Sequence, residues 1–216
     1  MEKAEVYGYL ADIKNANGDA LLEKFGSAIE PKRIERINAC SNPKEKTKLI
    51  CTGTLLQGVL RRFGVTPDMI EYAEHDKPVV KGRDDIFFNV SHSGNFVFIC
   101  VSGQNIGIDI QKPVPFKETL VNQITSMEER SSEDLDVVKH LNQIWAIKES
   151  YTKLTGEGIG KKLTEVTYKK ADDHITVFDN GEEAAFSKVV YADDFYEAVV
   201  TTKEPFEMKE FAKMSL

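Results

Sequence analysis

Cysteine is scarce in this chain. It occurs at 40, 51 and 100 only, an odd number with no C-x-x-C pair, which argues against a disulfide framework and against a cysteine-zinc site. The histidines, at 75, 92, 140 and 174, contain no H-x-x-x-H pairing. A nitrogen/sulfur metal site is thereby disfavoured, and an oxygen-ligand site stays open. Long apolar runs are missing too. The longest unbroken one is Phe96 to Val101, well short of the roughly 20 residues a membrane helix needs. Met1-Glu2-Lys3-Ala4-Glu5 lacks the basic-then-apolar pattern of a signal peptide, so a cytoplasmic location and no membrane partner are expected. Positive charge is outnumbered, 28 Lys and Arg against 35 Asp and Glu. Such a chain is a poor general binder of nucleic acid, although a local basic pocket can still take an anionic small ligand.

What is present is enough for one large domain or two small ones: 216 residues, 41% of them hydrophobic. Val6 to Leu10 reads as a first strand. Pro31-Lys32-Arg33-Ile34-Glu35-Arg36-Ile37 starts a short basic helix in which Arg33 and Arg36, spaced i, i+3, share a face. Asn42-Pro43-Lys44-Glu45 is a helix start with Asn as N-cap and Pro at the first position. Leu49, Gly53, Leu56, Leu60 and Phe63 then recur at helical spacing up to a stop at Gly64. Ile86 to Val90 predicts a strand, Ser91-His92-Ser93-Gly94 a turn, and Asn95 to Val101 the returning strand. Gly107 to Gln111 is a third short strand, ended by Lys112-Pro113-Val114-Pro115.

The second half repeats the plan, with a helix over about 139–154 and strands at 165–169, 175–178, 185–191 and 196–202. Phe195 to Val200 echoes Asn95 to Cys100. The expected fold is α+β in two similar halves, 1–108 and 109–216, with the boundary in the 108–115 region.

Alternation on a strand puts Asp109 and Gln111 on one face and Ile108 and Ile110 on the other. Two oxygen-bearing side chains so placed can hold a hard divalent cation. The segment alone fits an edge strand with a wet face better. On the later helix Ile144, Ile147, Tyr151 and Leu154 form an apolar stripe, and Glu149 and Lys153, spaced i, i+4, lie away from it. They read either as a surface ion pair or as groups facing a cleft, and spacing alone favours the ion pair. Ser91-His92-Ser93-Gly94 offers hydroxyls, an imidazole and backbone N–H groups that could cradle phosphate, or is a plain surface turn. Lys77-Pro78 is either a solvated turn or a fixed cation.

Three segments stand in one order: Phe88-Asn89-Val90-Ser91-His92-Ser93, Gly107-Ile108-Asp109-Ile110, and Trp145-Ala146-Ile147-Lys148-Glu149-Ser150-Tyr151-Thr152-Lys153. This order resembles the Sfp-type (surfactin-synthetase-activating type) 4′-phosphopantetheinyl transferase family, with its F-N-x-S-H-S, G-I-D-x-E and W-x-x-K-E-S-x-x-K segments. The resemblance runs from Pro31 to about Gly160. It implies two α+β halves related by a pseudo-twofold axis, with coenzyme A in the cleft between them, in a monomer.

By position the resemblance assigns Asp109 and Glu149 as metal carboxylates. It puts Lys153 near the reacting phosphates, and Lys148, next to Glu149, matches the motif's other lysine among the coenzyme A-binding residues. Ser91 and His92 fall on the 3′-phosphate and ribose side of coenzyme A. Lys77 matches a G-K-P lysine, with Asp76 in place of the glycine. Arg33 and Arg36 match further basic residues. Glu128 or Glu129 stands for another acid near the metal. Gln111 replaces a glutamate as third metal ligand, and a Gln carbonyl can ligate without charge.

The implied reaction is holo-carrier-protein synthesis. A serine hydroxyl of an apo acyl- or peptidyl-carrier protein attacks the β-phosphate of coenzyme A and releases 3′,5′-ADP. Mg²⁺ (or Mn²⁺) orients the diphosphate, Glu149 acts as base, and Lys153 neutralises developing charge. Lys161-Lys162 is a candidate carrier-docking point, or a solvated loop. Two other readings stay open: a metal-dependent diphosphate or nucleotide hydrolase, and a coenzyme A-binding or carrier-docking protein without catalysis.

Overall fold

A computed structural model describes residues 3–73, 76–115, 117–132 and 136–216; His75 lies outside them. The first part of the chain forms β1 (Ala4–Asp12), α1 (Gly18–Phe25), α2 (Pro31–Ala39), α3 (Pro43–Arg61), β2 (Ile70–Tyr72), β3 (Pro78–Val80), β4 (Phe87–Ser93) and β5 (Phe96–Ser102). There follow β6 (Ile106–Gln111), α4 (Glu118–Ile124), α5 (Met127–Ser131), α6 (Val137–Thr155), β7 (Val166–Lys170), β8 (Ile175–Asp179), β9 (Glu182–Ala192), β10 (Glu197–Thr202) and β11 (Phe206–Ser215).

Two sheets carry the fold, in the orders β11-β1-β5-β4 and β6-β10-β9-β8-β7. Each contains the same unit. A first strand (β1, β6) pairs antiparallel with the second strand of a hairpin (β5, β10), whose other strand (β4, β9) lies beyond it. A 19-residue helix stands between the first strand and the hairpin in both units: α3 and α6. The α+β fold in two similar halves is thus present. β6 spans 106–111, across the 108/109 position, and β11 returns from the C-terminal half to pair parallel with β1.

Side-chain alternation explains the layering. Val6, Leu10, Phe98 and Cys100 of the first sheet pack on Ile106, Ile108, Ile110, Ala198 and Val200 of the second. The outer face of the first sheet, with Tyr9, Val97, Ile99 and Val101, takes α3 through Cys51, Leu55, Leu56 and Leu60. Ile147, Tyr151 and Leu154 of α6 pack on Val166, Val177 and Val199. The layers therefore run helix, sheet, sheet, helix.

The caps expected for α3 are formed: the Asn42 side chain accepts from the Lys44 and Glu45 amides. Gly53 lets α3 pass close to α2, since a Cβ there would come within 2.7 Å of the Arg33 side chain and 2.8 Å of Ile29. Ser91-His92-Ser93 is not a turn. Ser91 pairs with Phe98, His92 with Val97 and Ser93 with Phe96, so β4 continues to Ser93 and the reversal falls at Gly94-Asn95.

Candidate active site

The edge strands of the two sheets, β4 and β6, meet along the cleft between the halves. Asn89 Nδ2 donates to the Ile106 carbonyl at 3.2 Å, which pins β4 to β6. Gly107 sets β6 flush on α6, because a Cβ at this position would collide with the backbone of Ser150 and Leu154. Side chains two residues on along β6 and on the same turn of α6 therefore share a space. With Ile108 and Ile110 buried between the sheets, alternation turns Asp109 and Gln111 the other way.

The result is one cavity of about 410 Å³ lined by Val90, Ser91, His92, Asp109, Gln111, Trp145, Glu149 and Lys153. Asp109 is buried and accepts three bonds. Ser91 Oγ donates to Oδ1 at 2.7 Å, Lys153 Nζ to Oδ1 at 2.6 Å, and Gln111 Nε2 to Oδ2 at 2.7 Å. Lys153 Nζ also reaches Ser91 Oγ at 2.9 Å, and the Ile110 amide donates to the same oxygen at 3.3 Å.

Glu149 is held above its ordinary value, first by burial and then by the neighbouring Asp109 charge, against the opposing pull of Lys153 and a hydrogen bond with Trp145. His92 keeps solvent contact. The protein packed around it nonetheless lowers its imidazole pKa, and the Lys48 and Lys153 cations add to this.

A second cavity of about 190 Å³ shares Val90 and Lys153 with the first and is lined also by Lys77, Pro78, Asn89, Thr152, Gly156 and Gly158. Lys77 Nζ donates to Asn105 Oδ1 at 3.0 Å and the Leu154 carbonyl at 3.1 Å, and burial lowers its pKa. Asp76, where the resembled segment has glycine, has φ of 59°, the left-handed region that favours glycine.

Six of the residues singled out from sequence thus converge: Ser91, His92, Asp109, Gln111, Glu149 and Lys153, with Lys77 in the adjoining space. The others do not join them. Lys148, expected among the coenzyme A-binding residues, is fully buried elsewhere. Its Nζ donates to the Ile124 carbonyl (2.8 Å), Glu129 Oε2 (2.7 Å) and the Leu163 carbonyl (3.1 Å). Neighbouring helical positions point about 100° apart, so Lys148 and Glu149 leave α6 on different sides.

Arg33 is buried against Glu30 (Nε–Oε1 2.7 Å), and Arg36 joins Lys32 on Asp76 at 2.8 and 2.5 Å. These α2 cations line neither cavity. Glu129 is occupied by Lys148 and by the capping box of α5, while Glu128 is exposed. Lys161 is tied to Asp179 at 2.7 Å, and of the pair only Lys162 is well exposed, 3.7 Å from Glu165.

Trp145 is a site residue that sequence reasoning did not single out. Its spacing, i, i+4 from Glu149, was the available signal. Among the described residues no group of three or more His, Cys, Asp or Glu gathers to hold a metal. The donor set instead supplies two carboxylates and an amide carbonyl, all hard oxygen ligands. It fits a Mg²⁺ that keeps some of its ligands from water and substrate phosphate.

The fold thus brings two carboxylates, an ammonium, an amide and a serine hydroxyl into one cavity where the edge strands of the two sheets meet. Residues 105–202 match the family model described as the 4′-phosphopantetheinyl transferase superfamily. A 4′-phosphopantetheinyl transferase of Bacillus subtilis is 26% identical over 227 residues, covering 97% of this chain and 99% of that protein. The 4′-phosphopantetheinyl transferase Sfp of B. subtilis strain 168 is 26% identical over 195 residues, 85% and 86% of the two chains. HetI of Nostoc sp. PCC 7120, another 4′-phosphopantetheinyl transferase, is 27% identical over 156 residues, 66% of each. By these likenesses, which extend over nearly the whole chain, the protein is an enzyme of the 4′-phosphopantetheinyl transferase type.

Proposed function

We propose that this enzyme transfers the 4′-phosphopantetheinyl group of coenzyme A to a serine of an apo acyl- or peptidyl-carrier protein at the Asp109–Glu149 cavity, releasing 3′,5′-ADP. The observation that carries the assignment to this cavity is the convergence of Asp109, Glu149, Lys153 and Ser91 from three elements, β4, β6 and α6.

Asp109, Glu149 and the Gln111 carbonyl would hold Mg²⁺, or Mn²⁺, which supplies charge neutralisation and orientation of the diphosphate. Glu149 takes the proton of the attacking serine hydroxyl. Its raised pKa suits that task better than an ordinary carboxylate would, because a base is most effective when its pKa lies near the working pH. Lys153, 2.6 Å from Asp109 in the free enzyme, stabilises the charge that builds on the departing 5′-phosphate of 3′,5′-ADP. Ser91, His92 and Lys77 extend along one continuous surface through the shared wall of Val90 and Lys153. They anchor the nucleotide end, so that remote binding aligns the reacting centre. Arg36 acts from outside these cavities through Asp76, next to Lys77, while Arg33 is held on Glu30. The enzyme works as a cytoplasmic monomer; among the described residues no helix is long and apolar enough to cross a membrane.

The test is incubation with coenzyme A, Mg²⁺ and a panel of apo-carrier proteins, read by intact mass. A gain of about 340 Da, the phosphopantetheinyl group, is expected on at least one carrier. Release of 3′,5′-ADP with no carrier modified would replace transfer by hydrolysis.

A further inference from the structure

Both oxygens of Asp109 are already engaged, and one of the groups engaging them is a cation. Lys153 Nζ lies 2.6 Å from Oδ1, where Ser91 Oγ also donates at 2.7 Å, and Gln111 Nε2 donates to Oδ2 at 2.7 Å. An ionised carboxylate only accepts, so the Gln111 amide must face it with nitrogen, which turns its carbonyl oxygen away.

The charged side chains lining the cavity are Asp109, Glu149 and Lys153. Lys153 cancels one of the two carboxylates, and Gln111 adds none. A free divalent ion entering this space would have to expel a charge-assisted ammonium from a buried acid and turn an amide round. In return it would gain one net negative charge. A diphosphate changes both sides of that balance, since it gives the Lys153 ammonium a new anionic partner and contributes oxygens to the ion.

Resting on the transferase reading, we infer that Lys153 is a place-holding cation on Asp109 and that Gln111 keeps the site too weakly charged for a free ion, so the divalent ion is taken up only together with coenzyme A. Order of assembly is thereby fixed by two side chains of this chain. Metal and coenzyme A must also tighten one another by the same factor, because linkage is reciprocal.

The experiment titrates the intact protein with Mn²⁺, following the loss of the free-ion electron paramagnetic resonance signal and the fluorescence of Trp145. That residue is the only tryptophan and lines the same cavity. Titrations are run with and without coenzyme A, with the protein-free Mn²⁺–coenzyme A mixture subtracted. Wild type is expected to bind Mn²⁺ at least about tenfold more tightly with coenzyme A than without it. Gln111→Glu, which adds a carboxylate, and Lys153→Met, which uncovers Asp109, are expected to bind Mn²⁺ alone. Circular dichroism establishes that both are folded.

Equal Mn²⁺ affinity of wild type with and without coenzyme A would overturn the inference. So would folded variants that still need coenzyme A for uptake. Either result, with carrier modification by the wild-type enzyme intact, leaves the transferase reading standing. Failure of that reading shows separately, as no mass gain on any apo-carrier whatever the order of addition.

Discussion

Gly107 of β6 lies directly on the backbone of Ser150 in α6, with no room between them for a Cβ. Ser150 follows Glu149, and Asp109 stands two residues beyond Gly107. The contact is therefore what brings the two acids to one cavity. Gly107→Ala should separate strand and helix, costing about 1–3 kcal/mol of stability by overpacking. It should also lower transfer by more than the stability loss explains. Denaturant unfolding and the intact-mass assay, compared at a temperature where the variant stays folded, measure the two effects.

Glu149 should trade stability for function. Its folded-state pKa is raised, by burial before the Asp109 charge. Between the ordinary carboxylate pKa and the raised one the folded state holds more protons than the unfolded state, so stability falls as pH rises through that window. In metal-free protein Glu149→Gln should therefore melt higher than wild type near neutral pH, with the difference closing below the ordinary carboxylate range. Transfer should fall by about 10²–10⁴-fold, the usual contribution of a positioned base. Thermal melts across pH, with rates at saturating Mg²⁺, check both.

Lys148 should prove structural. Its ammonium is fully buried on Glu129 and two carbonyls. Lys148→Met leaves the Glu129 carboxylate without its cation, which should cost about 3–5 kcal/mol. The KM for coenzyme A of protein that remains folded should hardly change. A large rise in that KM with little loss of stability would return Lys148 to the substrate.

Asp76 has a left-handed backbone, φ 59°, and its ion pairs with Lys32 and Arg36 are exposed, where water and salt screen away most of their attraction. Asp76→Gly should thus be close to neutral in stability. Asp76→Val, which must hold a branched side chain in that region, should cost about 1–2 kcal/mol. Paired denaturation curves decide.

The parts of this molecule that could be read from sequence are those written in local periodicity. The alternation of Ile108 and Ile110 with Asp109 and Gln111 gave β6 and its two faces, and the stripe Ile147, Tyr151, Leu154 gave the buried side of α6. Ser91-His92-Ser93 misled because serine and glycine signal turns locally, whereas pairing with Phe96, Val97 and Phe98 extends the strand. β11 carries charged residues on its outward positions, as sheet edges do, so its Phe-Glu-Met-Lys-Glu pattern gave no clear strand signal. Lys148 could not be placed because α4, α5 and the 163–165 segment cover its side of α6 through contacts distant in sequence. The close meeting of Gly107 with Ser150 was unreadable for the same reason, although a glycine one residue from a buried strand's midpoint invites it.

A single ion gripped by a strand carboxylate and a helix carboxylate is the centre of this account. Crystals grown with coenzyme A and Mn²⁺, measured at a wavelength where manganese scatters anomalously, test it most directly. One anomalous peak within ligand distance of both the Asp109 and Glu149 side chains and of the diphosphate is the expected result. A peak bound by only one of the two acids, or lying outside the cavity, would contradict it.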